Sequence, residues 1–191
     1  MIHAHTQSAR PSFGSEESDA VLAAGMIAQG PVTAAFEEEF AAYCGVSHAV
    51  AVSNGTTALH AALLAAGVGP GDEVIVPAFT FFATASAVSI CGARPVFADV
   101  DPATATIDPA DIIAKVSSKM KAVIGVHLYG QPCDAGAIRE ICDDKDLVFI
   151  EDAAQAHGAE YRGTRTGAPG RSSPASHSTP RRTWRPGRGG W

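Results

Sequence analysis

Three short stretches of the chain combine residue types that chemistry needs. In Ser53-Asn54-Gly55-Thr56-Thr57, a glycine and two hydroxyl side chains stand at the start of a helical pattern over residues 56–66. Free backbone N–H groups and the dipole at a helix start favour a phosphate, Gly55 lets it approach closely, and Thr56 and Thr57 add hydroxyl donors. The same residues also read as a turn with an N-cap, and they lack the Gly-Lys-Ser/Thr of a P-loop. In Pro77-Ala78-Phe79-Thr80-Phe81-Phe82, aromatic residues follow an apolar run that ends at Val76. A ring there can stack on a flat heterocycle, which contributes about 0.5–1.5 kcal/mol beyond burial. Taken alone, core packing accounts for these phenylalanines better, and at least one of the three is expected to be structural.

The third stretch is Ile150-Glu151-Asp152-Ala153-Ala154-Gln155-Ala156-His157. A carboxylate at the end of a buried strand is costly unless a cation or a donor faces it. The protonated nitrogen of a pyridine ring would suit Asp152, which would keep it protonated so that the ring withdraws electrons from a bound substrate. Gln155 would reach a phenolic oxygen on that ring, and His157 would line the pocket. On its own, Asp152 reads first as a turn or N-cap residue, so the reading depends on all three stretches meeting. His127, followed by Leu128-Tyr129-Gly130-Gln131-Pro132, ends another apolar run and is a further candidate to face the site. His60, His127 and His157 are far apart and lack the spacing of metal ligands.

The elements that would bring these residues together follow from the apolar pattern. A helix is expected from Ser15 as N-cap, ended or interrupted at Gly30-Pro31. A second, over residues 32–43, carries Val32, Phe36, Phe40 and Tyr43 on one stripe and closes at Cys44-Gly45. Beyond it, apolar runs at 49–52, 73–76, 95–100, 122–126 and 147–150 alternate with helical stretches at 56–66, 82–90, 108–116 and 134–142. Short apolar runs without period-two polarity, separated by helices, predict an α/β fold with a mainly parallel sheet flanked by helices. In such sheets ligands gather at the carboxyl ends of the strands, where the three stretches lie.

The order and spacing of these segments resemble the DegT/StrS family of pyridoxal-phosphate (PLP) sugar aminotransferases, which have the type I aminotransferase fold. The likeness runs from about Ser15 to Gly170. It rests on Gln29-Gly30-Pro31, Phe36-Glu37-Glu38, Ala51-Val52-Ser53-Asn54-Gly55-Thr56-Thr57-Ala58-Leu59, Gly69-Pro70-Gly71-Asp72-Glu73-Val74, Val126-His127-Leu128-Tyr129-Gly130-Gln131 and Ile150-Glu151-Asp152-Ala153-Ala154-Gln155-Ala156. The resemblance implies pyridoxal 5'-phosphate as cofactor, with Gly55, Thr56 and Thr57 at its phosphate, Phe81 stacked on its ring, Asp152 at its pyridinium and Gln155 at its phenolate. It also implies a keto-sugar substrate, usually nucleotide-linked, an amino-acid donor and a homodimer. A PLP-fold protein with a binding or regulatory role and no catalysis is the alternative.

The family's Schiff-base lysine has no counterpart, because no lysine follows Lys145. Where the family reads approximately Ala-Cys-Phe-Ser-Phe-Tyr-Pro-Thr-Lys-Asn-Met, this chain reads Pro174-Ala175-Ser176-His177-Ser178-Thr179-Pro180-Arg181-Arg182-Thr183-Trp184. Family-like codons TAC-CCC-ACG-AAG-AAC-ATG-G, read one base later, spell Thr179 to Trp184. Residues 1–170 are therefore expected to be part of a PLP-binding large domain, and residues 171–191 a frameshifted, disordered tail. Arginine does not replace the lysine, since its guanidinium stays protonated, so this chain is expected to be inactive.

Composition narrows the remaining classes. The chain has 191 residues, 46% of them hydrophobic, and a net charge of −6, which gives no electrostatic reason to bind nucleic acid or an anionic membrane. Its four cysteines form no CxxC pair, its first residues no continuous apolar signal, and its apolar runs fall short of a bilayer span. A reducing, cytoplasmic setting is expected.

Overall fold

The computed structural model describes residues 14–25 and 29–167. The elements in chain order are α1 (Ser15–Ala24), α2 (Pro31–Cys44), α3 (Gly55–Ala65), β1 (Glu73–Pro77), α4 (Ala83–Ile90) and β2 (Arg94–Ala98). They continue with α5 (Pro109–Lys115), β3 (Met120–Val126), α6 (Ala135–Asp144), β4 (Val148–Asp152), β5 (Glu160–Tyr161) and β6 (Thr164–Arg165). Four strands form a parallel sheet in the order β2-β1-β3-β4, and β5 and β6 make a separate antiparallel hairpin. No helix among the described residues is long and apolar enough to cross a membrane.

The strand order fixes where the helices lie. The chain steps one way from β1 to β2 and the other way from β2 past β1 to β3 and on to β4. Right-handed crossovers then place α4 on one face and α5 and α6 on the other. The two cores agree. Leu59 and Leu63 of α3 and Val88 of α4 meet Val74, Val76, Ile124, Val126 and Ile150 on the first face. Ile112 of α5 and Ile138 of α6 meet Ile75, Val123 and Phe149 on the second. Each fully buried isoleucine, leucine or valine contributes roughly 1.5–3 kcal/mol. The connections reverse direction between β1 and β3, which makes that carboxyl edge the place where an open α/β sheet leaves a crevice.

Capping side chains start α5 and α6, which cover the second face. Asp108 accepts the Ala110 N–H at 2.8 Å ahead of Pro109, and Asp134 accepts the Ala137 N–H at 3.1 Å. Each satisfies a donor that has no carbonyl one turn behind it.

Several expectations need correction. Residues 49–52 form no strand. The Ala51 N–H donates to the Glu37 carboxylate at 2.7 Å, so a side chain takes the group a sheet ladder would have used. The first helix is capped by Gly14, whose N–H the Glu17 side chain accepts at 2.7 Å, not by Ser15. It ends at Gly25, with φ 62°, well before Gly30, which instead caps α2 ahead of Pro31. The stripe on α2 is largely open: Val32 is 68% exposed and Ala41 is the buried residue of that helix. The hairpin of β5 and β6 was not anticipated, although Arg162-Gly163, both at positive φ, form the two-residue turn that such a hairpin needs. The frameshifted tail expected over residues 171–191 lies outside the described residues.

Candidate cofactor site

The direction of α3 brings its first residues to the carboxyl edge. After Ala65 the chain turns and enters the amino end of β1, so α3 runs against the strands and begins where they finish. Its 11 residues span about 16 Å at the α-helical rise, close to the roughly 17 Å of a five-residue strand. Gly55 and Thr56 therefore come level with the strand ends. Leu59 and Leu63 share a core with Ile150 of β4, which places α3 on that strand's side of the first face.

Asp152 is the last residue of β4 and stands two residues beyond Ile150. Alternation along a strand turns it toward the α3 face. Its Oδ1 accepts the Ala154 N–H at 3.0 Å, and among the described residues no salt bridge neutralises it. A half-buried carboxylate without a cation is ready to take a positively charged partner.

At the helix start, Asn54 is the N-cap and accepts the Thr57 N–H at 2.9 Å. The amides of Gly55 and Thr56, first and second in the helix, have no carbonyl one turn behind them and remain donors for an anion. The Thr57 hydroxyl donates to Asn54 Oδ1 at 3.1 Å and lies 3.2 Å from Ser53 Oγ, which in turn accepts from the Asn54 side-chain amide at 3.3 Å. A hydroxyl has one proton, so Thr57 holds the cap closed while the Thr56 hydroxyl is the better placed of the two for a phosphate.

Phe79, Phe81 and Phe82 are 51%, 59% and 73% exposed. The expectation that at least one is a core residue is not met, because the positions that pack are taken by Ala83, Thr84, Ala87 and Val88 of α4. Phe81 and Phe82 lie against one another with centroids 4.6 Å apart and planes tilted by 59°. They leave an aromatic surface open beside the end of β1.

Gln155 is tied to the turn after β3. Its Oε1 accepts the Tyr129 N–H at 3.3 Å and its backbone carbonyl accepts the Gly130 N–H at 2.9 Å. With the oxygen engaged, the amide nitrogen is the group left to donate outward. His157 packs edge-on against Phe40 of α2, centroids 6.4 Å apart.

His127 does not face this edge. It is fully buried and turned to the α6 side, with Nε2 3.3 Å from Glu151 Oε1 and Nδ1 accepting the Cys133 N–H at 3.1 Å. Strand parity decides this: Val126 belongs to the first core, so the next residue points the other way. Sequence reasoning missed the roles of Glu151 and the Tyr129 amide, and it read an N-cap in the stretch over residues 53–57 without assigning it to Asn54. Parity would have found Glu151, and the Asn-x-x-Thr cap pattern would have found Asn54.

No lysine reaches this edge from the described residues. Lys119, Lys121 and Lys145 lie at or before the amino ends of β3 and β4. Lys115 lies on the α5 face, where it donates to the Phe97 carbonyl at 2.7 Å and pairs with Asp111 at 2.8 Å.

A three-layer α/β unit with a helix start, an acid that has no salt bridge among the described residues and open aromatic rings at the carboxyl ends of its strands has features that suit a flat, phosphorylated cofactor. The family model for the DegT/DnrJ/EryC1/StrS aminotransferase family matches residues 12–182, and the chain belongs to that family. It is 54% identical over 135 residues to GDP-perosamine synthase of Caulobacter vibrioides, a match covering 71% of this chain and 36% of that protein. Among solved structures it resembles Streptomyces venezuelae DesV in complex with a ketimine intermediate, with 47% identity, a TM-score of 0.78, and coverage of 81% of this chain and 43% of that one. It also resembles Bacillus subtilis NtdA with the cofactor PMP bound, with 38% identity, a TM-score of 0.74, and coverage of 80% and 35%. The chain thus spans about two fifths of the length of the relatives it matches.

Proposed function

We propose that this chain forms the cofactor-holding part of a PLP-dependent aminotransferase that acts on a keto-sugar, carried on a nucleotide, with an amino acid as nitrogen donor. The observation that carries this reading is Asp152: an acid with no salt bridge among the described residues, on the α3 side of the edge where the Gly55 and Thr56 amides await an anion. The donor set fits PLP at both ends, with N–H groups for its phosphate and a carboxylate for its ring nitrogen. The names of the related proteins support the substrate class.

In this reading the Gly55 and Thr56 amides and the Thr56 hydroxyl would hold the phosphate, while Thr57 keeps the helix start closed on Asn54. Asp152 keeps the proton on the ring nitrogen. The Gln155 amide donates to the phenolic oxygen, and the Phe81 ring covers one face of the heterocycle and excludes water from it. PLP, when bound, would supply an electron sink for the transamination. Transamination also needs a lysine as nucleophile and proton carrier, and none of the four lysines is near this edge. Residues 1–191 by themselves are therefore expected to bind PLP without turning over, and the whole enzyme is expected to be a homodimer.

Titration with PLP, followed by borohydride reduction, tests the proposal. The chain should take up PLP reversibly, Asp152→Asn should weaken uptake about 10- to 100-fold, the range for losing a hydrogen bond to a charged group, and borohydride should leave the chain unlabelled. Equal affinity in Asp152→Asn, or a cofactor fixed covalently to the chain, would contradict it.

A further inference from the structure

We infer that His127 is the positioning residue for Asp152, a role that rests on reading Asp152 as the partner of the cofactor ring. Three features of the network behind the site carry this. The His127 N–H donates to the Asp152 carbonyl at 2.9 Å, so the backbone of one residue holds the backbone of the other. The His127 ring meets the carboxylate of Glu151, the residue just before it. Because Nδ1 accepts the Cys133 N–H, the ring proton sits on Nε2 and is directed at Glu151. His127 thus meets both residues at the end of β4, Asp152 through a backbone bond that any residue but proline would make and Glu151 through its ring.

The other Glu151 oxygen is held by Arg139 at 2.7 Å, with the Glu151 side chain 5% exposed and that of Arg139 23% exposed. A buried carboxylate bonded on both oxygens has little freedom, and displacing it leaves a charge in the core. Successive residues of a strand point to opposite faces. Fixing Glu151 on the α6 side therefore sets the rotation of the strand end and aims Asp152 at the α3 side. Val126 and Asp152 form the last pair of the β3–β4 ladder, which the His127 N–H bond to the Asp152 carbonyl closes.

Two substitutions separate the bonds of the imidazole. Glutamine extends its amide to the position of Nε2 and can donate to Glu151. Asparagine ends near Nδ1 and keeps only the bond from Cys133. In the full 191-residue chain, amide exchange at Ala154, whose N–H donates to the Asp152 carboxylate, reads the aim of Asp152 without any cofactor. Exchange there should quicken about tenfold in His127→Asn and stay within about twofold in His127→Gln. The Kd for PLP should follow the same order. Equal acceleration in both variants, or none in either, overturns the inference. If neither variant folds, Arg139→Gln at the rim of the network should quicken exchange at Ala154, and unchanged exchange there overturns it too. Failure of the unaltered chain to bind PLP sinks the cofactor reading, while the exchange comparison still decides the role of His127.

Discussion

The side-chain oxygen of Gln155 accepts the backbone N–H of Tyr129 at 3.3 Å. Tyr129 presents that amide from a left-handed conformation, φ 52°, with Gly130 following at φ 85°. A tyrosine held there costs roughly 1–2 kcal/mol relative to a relaxed backbone. The turn and Gln155 therefore orient one another, and the Gln155 nitrogen is left to donate to a ligand. Gln155→Glu keeps the acceptor and removes the donor. The Kd for PLP should rise about tenfold, while the urea midpoint should hardly move because the side chain is exposed. An unchanged Kd would separate Gln155 from the cofactor.

Gly125 lies in β3 beneath the His127 network, and a Cβ there would come 2.8 Å from the Phe149 ring and 3.1 Å from Cys133 Sγ. Phe149 is buried in the core on the α5 and α6 side of the sheet. Gly125→Ala should lose about 1–3 kcal/mol of stability, the usual cost of overfilling a packed core, measured by urea unfolding. A loss below about 0.5 kcal/mol, the range of a neutral surface change, would mean that the core behind β4 is looser than described.

Burial pushes the Cys142 thiol up to about 12 and raises that of Cys133 as well. An unfolded thiol ionises near pH 8.5, so from there to about pH 12 the native chain binds more protons than the unfolded one, and stability falls as pH rises through that window. At the acid end, the Ser117 hydroxyl and then the Arg94 guanidinium hold the Glu73 carboxyl below its usual range. Its contribution is present above about pH 4.3 and is lost as pH drops through the native value. The urea midpoint should therefore peak between these limits, and native Cys133 and Cys142 should resist a thiol reagent that reacts with both after unfolding. A midpoint flat from neutral to strongly alkaline pH, or fast labelling of both thiols in the native chain, would contradict the buried, neutral state.

The sheet was legible because its strands are short unbroken apolar runs, such as Val74-Ile75-Val76 and Val123-Ile124, which few other elements produce. The run Ala49-Val50-Ala51-Val52 carries the same signal but gives no strand, since composition cannot say whether a ladder partner exists or whether Glu37 will claim the amide. The α2 stripe misleads in the same way, because periodicity reports which residues share a face and not what covers it. That Asp152 falls at the end of a strand and Gly55-Thr56-Thr57 at the start of a helix was readable from the apolar pattern. His127 was misassigned where counting residues from Val126 along the strand would have settled its face. The bond between Gln155 and the Tyr129 amide was out of reach, because it depends on a backbone conformation that tyrosine seldom adopts.

A crystal structure of the chain grown with PLP tests most directly whether one ligand joins the start of α3 to the end of β4. The account predicts the phosphate on the Gly55 and Thr56 amides and the ring nitrogen within hydrogen-bonding distance of the Asp152 carboxylate in the same molecule. A ligand that reaches only one of those two places, or that binds elsewhere on the sheet, would contradict it.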